Sequence, residues 1–259
     1  MAAAMALVLA GCRIGTGEAN QGGNVRANMA EPAPQTKMLP APERPLDREA
    51  VLLALVRARS AAAAGADDRA AQAELDGRRF EFRIRLGCTI APQGQPAGRF
   101  GATFDAAERR VELNAAPDLA IDHPAVAAIA ADRFEAAEGF WVPQPWLLVP
   151  ACPAGVAAGA PSELVGIAQF FAPTDSRVER RDGRAYVARE PLAEGAEGPA
   201  AGGWDLVIAG RLRQLTDGRV IVCRPAAQAM PACIISIEFD RVSILNVASG
   251  QQLAEWGRG

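Results

Sequence analysis

Histidine and lysine are almost absent from this chain. His123 is the only histidine and Lys37 the only lysine among 259 residues. One histidine cannot build a His-rich zinc site, a two-histidine helical metal motif or a 2-His-1-carboxylate iron site. With no lysine after Lys37, a phosphate-loop lysine, a Schiff-base lysine and a Ser–Lys dyad are excluded downstream. Tyr186 is the only tyrosine, and no Gly-x-Ser-x-Gly elbow marks a serine hydrolase. The formal charge of −3 lacks the basic surplus of a nucleic-acid binder. Beyond the N-terminus there is no apolar run long enough to cross a bilayer as a helix. No metal and no cofactor is expected.

What is present begins with Met1-Ala2-Ala3-Ala4-Met5-Ala6-Leu7-Val8-Leu9-Ala10-Gly11-Cys12. An apolar stretch ending in small residues has the logic of an export signal. Leu9-Ala10-Gly11-Cys12 resembles the lipobox of bacterial lipoproteins. That resemblance implies a signal peptide over residues 1–11, cleavage before Cys12 and acylation of the Cys12 thiol. It implies a protein lipid-anchored in the cell envelope, facing the periplasm, at the outer membrane. From Arg13 to Pro45 there are no aromatics, and Pro32, Pro34, Pro40, Pro42 and Pro45 disfavour folding. Residues 12–45 therefore read as a lipidated tether reaching roughly 30 Å by flexible-chain scaling. Residues 46–259 read as a single periplasmic domain.

Four cysteines follow Cys12, at Cys88, Cys152, Cys223 and Cys233. An even number in an exported domain reads as two disulfides, with three possible connectivities. The preferred pairs are Cys223–Cys233 and Cys88–Cys152. The first would join facing ends of the apolar runs Val220-Ile221-Val222 and Ile234-Ile235 across a loop holding Pro225 and Pro231. The four sulfurs lack the paired spacing of a zinc site.

Periodicity predicts a mainly β, α+β fold: an antiparallel sandwich or barrel with an N-terminal helix and a short mid-chain helix. Asp47 suits an N-cap, Glu49 favours the first turn, Val51, Leu52, Leu55 and Val56 supply an apolar face, and Gly65 stops the helix. A shorter helix is expected near Asp67–Leu75. Strict alternation in Arg79–Leu86 is a half-buried strand. Phe100–Phe104 and Val111–Leu113 read as hairpin arms, and His123-Pro124 opens an Ala-rich helix. Strands are expected at Trp146–Val149, Val165–Phe171, Arg184–Ala188, Asp205–Leu212, Arg219–Cys223, Cys233–Phe239, Val242–Val247 and Leu253–Trp256. Asp182-Gly183, Asp217-Gly218 and Ser249-Gly250 are the turn signals between them.

Three constellations could carry function. Phe140-Trp141-Val142-Pro143-Gln144-Pro145-Trp146 offers Phe140, Trp141 and Trp146 as a stacking wall for sugars or peptides, against core packing of a bend. Arginine recurs at Arg79, Arg83 and Arg85 and at Arg177, Arg180, Arg181, Arg184 and Arg189, suiting anion recognition, against a solvated, acid-balanced face. Glu238 and Asp240 share a strand phase, roughly 7 Å apart by strand rise, a spacing open to glycan hydrolysis or to plain solvent exposure. Asp122-His123 reads as a helix entry rather than a catalytic dyad. No catalytic residue can be named. The expected function is a non-catalytic envelope module binding an envelope protein or a cell-wall glycan, with a carboxylate-dependent glycan hydrolase as the alternative.

Since only a thiol can carry the diacylglycerol, Cys12→Ser is expected to yield an unlipidated product that leaves the detergent phase on phase separation. Unchanged partition together with retained acyl labelling would refute the anchor.

Overall fold

The computed structural model describes residues 43–130, 133–154, 164–175, 177–226 and 229–257. Cys12, the expected signal peptide and all but the last three residues of the expected tether lie outside the described residues. In chain order the elements are α1 (Arg48–Ala64), α2 (Arg69–Ala73), β1 (Arg79–Leu86), β2 (Ile90–Pro92), β3 (Phe100–Asp105), β4 (Arg110–Ala115), α3 (Pro124–Ala130), β5 (Ala136–Pro143), α4 (Gln144–Leu148), β6 (Leu164–Phe171), β7 (Tyr186–Pro191), β8 (Trp204–Leu212), β9 (Ile221–Ala226), β10 (Ala229–Asn246) and β11 (Gln252–Gly257). A 3-10 turn at Arg177–Glu179 lies between β6 and β7.

Two mixed sheets form an α+β sandwich without closing into a barrel. The larger has seven strands with the path β1-β8-β10-β6-β5, β9 and β11 adding to β10; the smaller runs β2-β3-β4-β7. β1 shows why the layers meet: Phe80, Phe82, Ile84 and Leu86 are buried, while the residues between them face outward. These four join Val111, Leu113 and Ala115 of β4 and Leu206 and Ile208 of β8 in one core. Burying such aliphatic and aromatic side chains contributes about 1.5–3 kcal/mol each.

β10 organises the larger sheet. Its first half pairs parallel with β6 (Cys233↔Val165 to Ser236↔Ala168) and antiparallel with β9. Its second half pairs antiparallel with β8 and β11. The Cys233–Phe239 and Val242–Val247 runs are thus one strand. Asp240, which broke the apolar pattern between them, sits in a β-bulge where Phe239 opposes Gly210 and Arg241 opposes Ala209. Gly210 has no freedom here, because a Cβ would run into the Glu238 carbonyl. The larger sheet is not purely antiparallel as expected, since β6 and β10 are separated by three strands and enter side by side in the same direction. β2 and β3 are parallel as well.

The Asp-Gly signals form turns without forming the expected hairpins. Residues 213–220 make an excursion between β8 and β9, which both run antiparallel to β10. Ser236 alone spans the gap, accepting from Arg213 N and donating to Val220 O at 3.0 and 2.8 Å. Asp182 (φ 52°) and Gly183 (φ 74°) take the left-handed geometry of a tight turn, yet β6 and β7 on either side belong to different sheets. Hairpins do form around residues 106–109 and at Ser249-Gly250.

The helices close the open faces. Asp47 accepts from Ala50 N at 3.0 Å and Gly65 ends α1 in the left-handed region (φ 63°). α1 buries Val51, Leu55 and Ala58 against the main core, leaving Val56 of the expected face exposed. α3 covers the opposite face through a second cluster with Leu119, Trp141, Phe170 and Ile234. Trp146–Val149, expected as a strand, falls mostly in α4, because Pro143 ends β5 and Pro145 suits a first helical turn. Arg48 holds α4 in place: it donates to the Trp146 carbonyl at 3.0 Å and lies 4.3 Å over the Phe82 ring. The chain has disulfides Cys88–Cys152 and Cys223–Cys233, with Cα separations of 5.4 and 4.0 Å. The first ties the segment after α4 to the end of β1. The second joins directly opposed residues of β9 and β10.

At the point where β10 changes partners, the Phe239 N–H donates to Gln169 Oε1 at 3.0 Å. Gln169→Leu removes that acceptor and is expected to cost about 1–3 kcal/mol, the usual penalty for an orphaned buried donor. Urea denaturation of the two proteins measures it; equal stabilities would show that the amide finds another partner.

Candidate functional site

The change of partners along β10 opens a cavity. The β6 ladder stops at Ser236↔Ala168 and the β11 ladder starts at Arg241↔Gly257, so neither strand is in register with residues 237–240. Between the diverging ends lies a cavity of about 370 Å³, within the size range of small-ligand sites. Phe239, Asp240 and Arg241 come from β10, Glu138 and Gln169 from β5 and β6, Trp256 from β11, and Tyr186 from β7. Arg180, Arg181 and Arg184 reach it from the turn between β6 and β7.

This turn is held from two directions. The Glu138 carboxylate accepts from Arg181 N at 2.9 Å and Asp182 N at 2.6 Å, one oxygen for each. Arg181 donates to the carbonyls of Arg184 and Ala185, both at 3.0 Å, and its guanidinium lies 4.1 Å over the Tyr186 ring. Arg184 returns hydrogen bonds to the carbonyls of Arg181 and Arg180 at 2.8 and 3.3 Å. Among the described residues neither Arg181 nor Arg184 forms an ion pair. Arg180 pairs with Glu135, holding that carboxyl below its usual range. Arg241 lies 3.7 Å from both Glu81 and Glu255.

Most of the other arginines singled out in the sequence pair with acids. Arg83 pairs with Glu81, Arg85 with Asp205 across β1 and β8, and Arg189 with Glu112 across β7 and β4, at 2.9, 2.7 and 2.8 Å. Arg177 lies 3.7 Å from Glu135. Arg79 points outward without joining the cavity. The five arginines grouped by sequence are therefore separated by structure: three line the cavity and two serve elsewhere.

The aromatic segment does not form one exposed wall. Phe140 and Trp141 are consecutive on β5, so their side chains enter opposite faces of the sheet, Phe140 in the main core and Trp141 in the second cluster. Both are buried. Trp146, on α4, packs half-buried against the main core. Glu238 and Asp240 part company as well. The bulge breaks their common phase: Glu238 pairs with Arg213 at 2.7 Å beside a different depression, whereas Asp240 lines the arginine cavity. His123 is exposed and its Nδ1 accepts from Ala125 N at 3.3 Å, which makes it a cap for α3. Cys88, Cys152, Cys223 and Cys233 are all in disulfides, and among the described residues no three His, Cys, Asp or Glu side chains gather as a metal site.

Sequence reasoning passed over Glu138, Tyr186 and Trp256. Periodicity assigns no element to the segment holding Glu138, and it gives Trp256 only a place in a C-terminal strand. A usable signal was the density of arginine beside Asp182-Gly183, which demands an anchor for the turn. No family model, curated protein or solved structure matches the chain.

Burial pushes the Tyr186 phenol up to about 12, with Arg181 opposing the rise and Glu138 adding to it. The unfolded chain ionises this phenol near pH 10 and the folded chain does so about two pH units higher. Its contribution to stability is therefore complete below pH 10 and lost as pH rises to 12, by up to about 3 kcal/mol. As the only tyrosine, it supplies the entire tyrosinate absorbance. The expected midpoint is near 12 in native protein and near 10 in urea; equal midpoints would place the ring in water.

Proposed function

We propose that the domain is a non-catalytic binding module of the cell envelope, tethered through a lipid on Cys12, and that its arginine-lined cavity takes up a cell-wall glycan. The observation that carries this reading is the division of labour among the charged groups in the cavity. Glu138, which could have been one of two catalytic acids, has each oxygen committed to a backbone N–H of the turn. Asp240 is the other cavity carboxylate, and Glu238 is paired elsewhere with Arg213. Retaining and inverting glycosidases both need two acids free to exchange protons or bond to the sugar. A cavity in which, among the described residues, one carboxylate is uncommitted and the arginines are braced is better suited to holding than to cutting. A recess of this size also favours a saccharide or similar compact group over the flat face of a folded protein. Nucleic acid is not a partner on this reading, and no cofactor is involved.

Hydrolysis keeps one supporting feature, the presence of Glu138 and Asp240 in one cavity. The two readings separate in a single experiment. The purified domain, incubated with isolated cell-wall polymer, is expected to sediment with it and to release no reducing ends. Reducing ends that disappear in Asp240→Asn would establish the hydrolase, and failure to sediment would remove the glycan-binding reading.

A further inference from the structure

We propose that Arg181 and Arg184 form an oxyanion site for a carboxylate or phosphate carried on a sugar ring, with Trp256 beneath the ring and Asp240 accepting from its hydroxyls. This rests on the glycan-binding reading and names the group recognised.

The first ground is how these two guanidiniums are held. Each is braced by two carbonyl oxygens rather than by a carboxylate. A carbonyl fixes the orientation of a guanidinium but leaves its unit charge uncancelled. Each brace uses Nε and Nη2, and among the described residues nothing accepts from Nη1 of either side chain. Arg181 is fixed further by the Tyr186 ring under its plane. Binding an anion then requires little ordering of long side chains, the step that usually consumes much of the gain from such contacts. Two planar forks with spare donors match the oxygens of a carboxylate or phosphate.

The second ground is contrast within the same region. Arg177 and Arg180 gather at Glu135, Arg189 at Glu112 and Arg213 at Glu238. Of the arginines in this region, the two without ion pairs among the described residues, Arg181 and Arg184, face the cavity from the clamped turn. Glu138, the carboxylate that touches this turn, spends each of its oxygens on a backbone N–H group. The backbone also adopts a conformation few side chains favour there, φ 52° at Asp182, and Glu138 holds it.

The third ground concerns the rest of the ligand. Trp256 is half-buried, edge-on to Tyr186 at 5.1 Å, and lines the same cavity. The Arg181 guanidinium lies 5.8 Å over its ring, and a partly exposed indole beside that cation suits the C–H face of a pyranose. Asp240 would repel a bare anion but accepts readily from hydroxyls. A cavity with two cations at one end, an aromatic face and one acceptor carboxylate selects a ring bearing both an anion and hydroxyl groups.

The test is calorimetry of the full chain at low ionic strength with glucuronate, glucose 6-phosphate, inorganic phosphate and glucose. At least one charged sugar is expected to bind about tenfold or more tightly than either glucose or inorganic phosphate, and the tighter of the two identifies the oxyanion. Arg184→Gln is expected to weaken that binding by about tenfold or more, the scale of a lost hydrogen bond to a charged group. Because Arg184 also braces the turn, Asp240→Asn serves as the second variant. It should narrow the margin between the charged sugar and inorganic phosphate. Glucose binding as tightly as both charged sugars, or undiminished binding in folded Arg184→Gln with an unchanged margin in Asp240→Asn, would overturn the site. If wild-type protein sediments with cell-wall polymer while neither charged sugar binds, the oxyanion site fails and the glycan-binding reading stands. If a charged sugar binds with the expected response to both variants but the polymer is not retained, the site stands and that reading fails.

Discussion

The hydrogen bond from the Phe239 N–H to Gln169 Oε1 allows one strand to serve two neighbours in turn. A β-strand normally keeps the same partner along an edge, since each unpaired buried amide is costly. β10 instead leaves β6 after Ser236 and takes up β11 from Arg241. Gln169, itself the next residue of β6 after the last registered pair, reaches across to supply the missing acceptor. The bulge at Asp240 then re-aims the strand, and Gly210 on β8 gives the Glu238 carbonyl room. With those three accommodations an 18-residue strand crosses the larger sheet, and β6 and β11 are free to diverge. The cavity is the space left by that divergence. Its position therefore follows from the backbone, and the arginines are placed into a gap that the sheet topology makes.

Charge in this protein is carried almost wholly by arginine on the basic side, and most of it is spent on architecture. Arg48 ties α4 to β1, Arg85 joins β1 to β8 through Asp205, and Arg219 binds Asp68 and Asp217 at 3.0 and 3.3 Å. The more exposed of these, Arg219–Asp217, contributes little, about 0–1 kcal/mol. The value of these contacts lies more in fixing where segments sit, because a planar fork bonds two acceptors in set directions. Arg181 and Arg184 use the same geometry on carbonyl oxygens. That choice of acceptor leaves the positive charge in place, and it sets Arg181 and Arg184 apart from the acid-paired Arg177, Arg180 and Arg189 around them.

Local signals were legible in the sequence wherever a single element decided the outcome. The Asp47 cap, the Gly65 stop, the alternation of Arg79–Leu86 and the hairpin at Ser249-Gly250 depend on neighbours within a few residues. Loop geometry also pointed to Cys223 opposite Cys233. What was not legible depended on pairing between distant segments. Asp240 looked like a gap between two strands because a bulge and a turn both interrupt an apolar pattern. Asp182-Gly183 forms its left-handed turn as the dipeptide dictates, but no local property says that β6 and β7 belong to different sheets. For Phe140 and Trp141 adjacency left a stacking wall and core packing both open, and the alternation of a strand decides for packing, sending them to opposite faces. The cavity itself draws on β5, β6, β7, β10 and β11, and only the arginine density hinted at it.

The same topology bears on why a holding role fits this fold. Catalytic acids need oxygens that can gain or lose a proton during turnover, and they are commonly placed where the surroundings leave that freedom. Here the carboxylate best positioned to act, Glu138, is the clasp of the turn that presents the arginines. Releasing it would free the Arg181 and Asp182 N–H groups and loosen the left-handed residue that the clasp supports. Two backbone N–H donors favour the ionised carboxylate, so its structural duty works against taking up a proton as a general acid. A binding site faces no such conflict. On the proposed reading, the more firmly Glu138 holds the turn, the less the arginines must be ordered by a ligand, so rigidity that would hinder a general acid would favour affinity.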